Sequence, residues 1–201
     1  MQRVIETDRM EAFSDGVMAV IITIMAFEVK PPGGPSLAAL HSRLPELLVY
    51  VLSFAMVGIY WNNHHHLIKA AHKVTAAMMW ANLHLLFWLS LFPFVTGWMG
   101  ENHFTPAPTA LYGAVLLLAA IAYFILQNII IAQQGRDSKL AKSIGRDFKG
   151  KLSPVLYAAG IAVSFFEPWI SCCLYVLVAL MWLIPDRRLE RVVEEPGSSP
   201  H

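Results

Sequence analysis

The sequence predicts an all-α polytopic membrane protein: one domain of six transmembrane helices over residues 1–201, with both termini cytoplasmic. Three observations carry this. Of the 201 residues 56% are hydrophobic and 14% charged, against about 25% charged in an ordinary globular domain. Apolar segments of span length recur along the chain, and a span needs about 20 residues, with about 17 as a lower limit. The basic residues, finally, divide unevenly between the two sides those segments define.

The predicted spans are 12–29, 46–68, 76–99, 109–133, 152–166 and 169–185. The first four stand alone. The last two come from one apolar run, Leu152 to Pro185, broken by Glu167 and Pro168. A single helix of that length would measure about 50 Å, too long for a core of about 30 Å. A tight hairpin resolves this, with Pro168 opening its second arm where a missing N–H costs nothing. Both arms are short, so bilayer thinning or protein cover is expected.

Six spans place both termini on one side with Arg3, Arg9, Lys69, Lys73, Arg136, Lys139, Lys142, Arg146, Lys149, Lys151, Arg187, Arg188 and Arg191. Only Lys30 and Arg43 fall opposite, thirteen against two. The positive-inside rule makes the rich side cytoplasmic. The first ten residues mix Arg3 and Arg9 with Glu6 and Asp8, and no small-residue cleavage site follows, so no cleavable signal peptide is expected. Cys172 and Cys173 are adjacent within the last span, which argues against a disulfide framework or a metal site. The basic segment "RDSKLAKSIGRDFKGK" reads as an inside loop near anionic headgroups, and the tail "EEPGSSPH" as disordered. No internal repeat is evident.

The first span holds the main signal, in "RMEAFSDGVMAVIITIMAFEVK", residues 9–30. Residues three and four apart share a helix face, so Gly16, Val20, Thr23 and Phe27 align. Ala12, Gly16, Ala19 and Thr23 add small residues that admit another backbone. Two readings fit this stripe: a helix packed inside one bundle, or a face that meets its own copies around an axis. Asp15 is costly inside a span and needs a partner. The donors nearest in depth lie in "YWNNHHHLIK" and at Asn82 and His84. Arg9 precedes Asp15 by six residues, too far for a pair on one helix.

His64, His65 and His66 fan over about 200° of a helix, so they cannot serve one metal. Hydrogen-bonding and interfacial roles are the simpler expectation, with pH sensing as a further possibility and a bis-His haem through His84 as a remote one. Most of the tryptophans sit near span ends, as in an aromatic belt. No activated nucleophile, carboxylate pair or phosphate-cradling glycine loop is present, so the chain is not expected to be an enzyme.

The run Arg9 to Asp15 matches R-x-x-x-F-S-D, and the sequence here resembles the transmembrane protein 175 family of endolysosomal potassium channels. "SFAMVGIYWNNHHHLIK" and "WANLHLLFWLSLFPFVTGWMGE" are similar to the family's second and third helices, and the likeness is strongest over residues 9–101. The resemblance implies a potassium-preferring cation channel of four copies in the cell membrane of a prokaryote, with no cofactor and potassium as the permeant ion. It implies a pore lined by the first helix: Val20 at the narrow apolar layer, Thr23 at a hydroxyl layer, Phe27 at a further apolar layer. Relatives usually carry Leu or Ile where Val20 stands, so Val20 or Phe27 forms the tightest ring. Arg9, Phe13, Ser14 and Asp15 then anchor the first helix, with Asn62, Asn63, His65 and Trp80 as expected partners. Glu28, Glu46 and Glu101 lie near outer span ends, at the mouth or at the interface. The alternative is a proton-conducting or proton-coupled carrier using Asp15 and the histidines.

Overall fold

The computed structural model describes residues 2–71, 73–134 and 148–183, the side chains of 2–6, 134 and 148 excepted. The expectations for the basic segment 136–146 and for the tail lie outside these residues. Eight helices are described: α1 (Gln2–Glu28), α2 (Leu37–His41), α3 (Leu44–Lys69), α4 (Ala76–Ser90), α5 (Phe92–Glu101), α6 (Pro106–Gln134), α7 (Phe148–Val163) and α8 (Pro168–Leu183). The first four predicted spans fall on helix; the fifth, 152–166, is helical to Val163, and the described part of the sixth, 169–183, is helical.

Local chemistry sets the boundaries. Proline at positions 31, 32 and 35 cannot continue α1. Ser36 caps the short α2 by accepting from the Ala39 N–H at 3.2 Å, a helix the hydropathy did not anticipate. Thr75 caps α4 through the Met78 N–H at 3.3 Å. The third span is not one helix. It breaks at Leu91 between α4 and α5, because Pro93 lacks the N–H that would bond the Leu89 carbonyl.

Among the described residues, four stretches are long and apolar enough to cross a bilayer: Thr7–Glu28, Leu44–Lys69, Ala76–Glu101 and Pro106–Gln133. The two hairpin arms are helical, with 16 described residues each, about 24 Å at 1.5 Å per residue. Their turn is tied by the Ser171 hydroxyl donating across to the Gly160 carbonyl at 2.7 Å.

Tyr175 of α8 is fully buried and lies against α6 and α7. A Cβ on Gly113 would come within 2.0 Å of its hydroxyl, and one on Gly160 within 2.4 Å of its ring, so both glycines make room for this aromatic. Its hydroxyl donates to the Thr109 carbonyl at 3.3 Å. A second buried tie joins α3, α5 and α6. Ser53 Oγ lies 2.7 Å from Thr96 Oγ1 and 3.0 Å from the Tyr112 hydroxyl. In lipid, such bonds between helices hold what hydrophobicity cannot. The first helix packs on α3, α4 and α5, whereas the hairpin packs on α6 and α3.

Candidate functional site

The two faces of α1 have different environments. Ser14, Met18, Ile21 and Met25 point inward and are buried. Phe13, Gly16, Ala19, Val20, Thr23, Ile24 and Phe27 point away from the rest of the subunit. Val20 is 57% exposed and Phe27 82%. Among the described residues, no element of the same chain covers that face, so these residues do not bear out the bundle-interior reading of the predicted stripe. Thr23 donates its hydroxyl proton to the Ala19 carbonyl at 2.8 Å. That leaves the oxygen's lone pairs directed away from its own helix.

The buried side of the motif is a chain of three polar groups. Ser14 donates to the Met10 carbonyl at 2.8 Å and accepts from the Asn82 amide at 2.9 Å. The Asn82 carbonyl oxygen faces His64 Nε2 at 2.7 Å. Because that oxygen only accepts, the His64 proton sits on Nε2, and Nδ1 is left without a partner. Ser14, Asn82 and His64 are all buried, so this line ties α1 to α4 and α3 where water does not compete. Asp15 accepts from the Trp61 indole at 3.0 Å. His65 Nδ1 lies 2.5 Å from Glu11 Oε1.

The expected partners are placed differently. His65 reaches α1 through Glu11 rather than through the motif. Asn63 donates to the Ile59 carbonyl of its own helix at 2.8 Å. Asn62 is exposed, and Trp80 is 74% exposed on the outside of α4. Among the described residues, no hydrogen bond or ion pair joins Asn62, Asn63 or Trp80 to Arg9, Phe13, Ser14 or Asp15. The partners within the subunit are Asn82, His64 and Trp61. Asn82 and the segment holding Trp61 are both among the donors expected nearest Asp15; Trp61 does reach it, and Asn82 bonds Ser14 instead. Their signal was spacing: Trp61 and His65, four residues apart, share a face toward α1, and His64 between them turns to Asn82. Arg9 and Phe13 line an open groove with Thr75, Met79 and Leu83 of the α4 end.

At the other end of α1, Lys30 pairs with Glu101. The hydrogen bond and charge of that carboxylate hold the Lys30 ammonium above its ordinary pKa. Glu46 pairs with Arg43 at 2.8 Å, and only Glu28 of the three outer glutamates has no ion pair among the described residues. His84, exposed, accepts from the Trp88 indole one turn along at 2.9 Å.

A helical membrane protein with a polar anchor beneath its first span and an uncovered small-residue face above it is the class these features define. The family model described as endosomal/lysosomal potassium channel TMEM175 matches residues 9–93. A potassium channel of Chryseobacterium sp. (strain P1-3) is 54% identical over 187 residues, covering 93% of this chain and 97% of that protein. The crystal structure of a lysosomal potassium-selective channel TMEM175 homolog from Chamaesiphon minutus superposes with a TM-score of 0.78 at 27% identity, covering 91% of this chain and 98% of that one. The endosomal/lysosomal proton channel TMEM175 of Bos taurus is 28% identical over 156 residues, which cover 69% of this chain and 32% of that protein. The chain belongs to the TMEM175 family.

Proposed function

We propose that the chain is the subunit of a potassium-preferring cation channel in a prokaryotic cell membrane. Six spans with both ends cytoplasmic form each subunit, and four copies place α1 around a common axis. The observation that carries this reading is the uncovered face of α1. One such face cannot enclose a pore, but several copies can, and its small residues allow close approach. The number four follows from the resemblance.

Around that axis the Val20 side chains form an apolar collar. A narrow collar of this kind excludes water and ions until it widens. The Thr23 oxygens beyond it replace part of an ion's hydration shell, which favours the less tightly hydrated potassium. Phe27 forms a further apolar ring. The similarity to proteins named potassium channels supports the same reading.

The test is potassium and sodium flux into liposomes carrying the purified protein, beside Val20→Ala and Thr23→Ala. Val20→Ala raises passive flux, and Thr23→Ala removes the potassium preference. Unchanged flux and selectivity in both would remove α1 from the pore.

Proton movement is the second reading. It is supported by the titratable cluster Glu11, Asp15 and His65 at one end of α1, and by the relatives named proton channels. Proton flux that falls with His65→Gln or Asp15→Asn, and ignores Val20→Ala, would favour it.

A further inference from the structure

On the side of the bundle away from α1, a cavity of about 60 Å³ opens between α3, α6, α7 and α8. Its walls are mostly apolar, among them Met56, Phe124 and Tyr157. Phe124 is itself largely exposed on the outer surface of α6, so the mouth opens sideways into the bilayer. The space is narrow and suits a single chain better than a fused-ring ligand.

Two polar groups in it are unused. Gln127 is only 7% exposed, lines the cavity, and makes no side-chain hydrogen bond to any described residue. The Tyr60 hydroxyl likewise lines it and bonds to none. A primary amide carries two donors and an acceptor, and at membrane depth it gains from a partner that the described residues do not supply. Such a group at the back of an apolar slot is a recognition element.

Depth and charge identify the occupant. Centring about 20 residues of α6 on a 30 Å core puts Gln127 about 5 Å inside the boundary nearer the basic segment. That is among the first acyl carbons, just below the lipid ester groups. Lys149 and Lys151 flank Gly150, a lining residue at the same end, and Lys151 is exposed. Lysines near such a surface attract anionic headgroups.

We propose that this cavity binds an anionic phospholipid of the cytoplasmic leaflet. A few carbons of one acyl chain enter the slot, Gln127 donates to an ester oxygen, and Lys151 faces the phosphate. The fold thus carries a lipid site on its periphery, separate from α1.

Native mass spectrometry of the purified protein, titrated with phosphatidylglycerol or with phosphatidylcholine of the same chains, tests this. Phosphatidylglycerol is retained at one per subunit, ahead of phosphatidylcholine. Gln127→Leu, which nearly keeps the shape, weakens that retention about three- to tenfold, as loss of one or two hydrogen bonds requires. Ala120→Phe fills the slot and abolishes it, and Lys151→Gln lowers phosphatidylglycerol to the phosphatidylcholine level. Equal retention of both lipids by the unaltered protein overturns the proposal. So does retention that Gln127→Leu and Ala120→Phe leave unchanged.

Discussion

The two faces of α1 have nearly the same hydrophobicity and opposite surroundings. One side carries Met18, Ile21 and Met25, all buried to 3% or less. The other carries Gly16, Ala19, Val20 and Thr23, all exposed. In a water-soluble protein the exposed side would be the polar one. Here bulk and shape separate the faces instead. Long, unbranched methionines fill irregular gaps against α3, α4 and α5. Small residues and a hydroxyl mark the side left for something outside the subunit. Hydropathy finds such a helix but does not orient it.

The largest effects belong to the buried face. Met18→Ala leaves a cavity at a fully packed site and lowers stability by about 2–5 kcal/mol, read by denaturant titration in mixed micelles. Val20→Ala removes as apolar a group from the other face and shifts the same titration by less than about 0.5 kcal/mol, while it changes flux. Equal destabilisation would mean that the two faces are not different in kind. Asn82→Leu reaches the same range by another route. It strips His64 of its Asn82 acceptor and Ser14 of the Asn82 donor, while Ser14 keeps its bond to the Met10 carbonyl; the orphaned buried imidazole N–H costs about 1–3 kcal/mol. Protein that still folds keeps its ion preference, because neither residue lies on the Val20 side.

Asp15 stands between the faces. It is half-buried, and its recorded partner is the indole of Trp61, itself 47% exposed. Asp15→Ala therefore costs about 1 kcal/mol. It lowers the assembled fraction on size-exclusion chromatography and leaves the potassium-to-sodium ratio intact. An intact assembly with altered selectivity would place Asp15 with the pore residues.

How far the sequence reaches follows the same divide. The first four spans were legible because a run of apolar residues needs no partner to declare itself. The stripe Gly16, Val20, Thr23 and Phe27 was legible because helical spacing alone aligns it. What covers a face is a tertiary fact, so the periodicity could not choose between a bundle interior and an outer surface. The motif's partners were harder. Depth placed the right segments opposite Ser14 and Asp15, but not the rotation of α3. A change of 100° in that rotation exchanges Asn62 for Trp61 or Asn63. The break at Leu91 was marked by Pro93, yet hydropathy averages across it. The capped helix α2 has five residues and no apolar period to reveal it.

The finest contrast is between glycines. At Gly113 and Gly160 an added Cβ would strike Tyr175, whereas at Gly16 it would meet nothing within 4 Å in the subunit. Gly16→Ala should then favour the isolated helix by about 0.5–1 kcal/mol, since alanine loses less backbone freedom than glycine. Gly113→Ala and Gly160→Ala should lower stability through the clash. Assembly adds a second readout at Gly16 alone. If copies of α1 approach closely there, the methyl group pushes them apart, and Gly16→Ala gives a more stable subunit that forms fewer oligomers. If that face meets lipid, the variant gains stability and assembles as before. Measuring denaturation and the cross-linked oligomer fraction on the same sample separates these outcomes, because a single methyl group moves the two in opposite directions only when another copy stands against it.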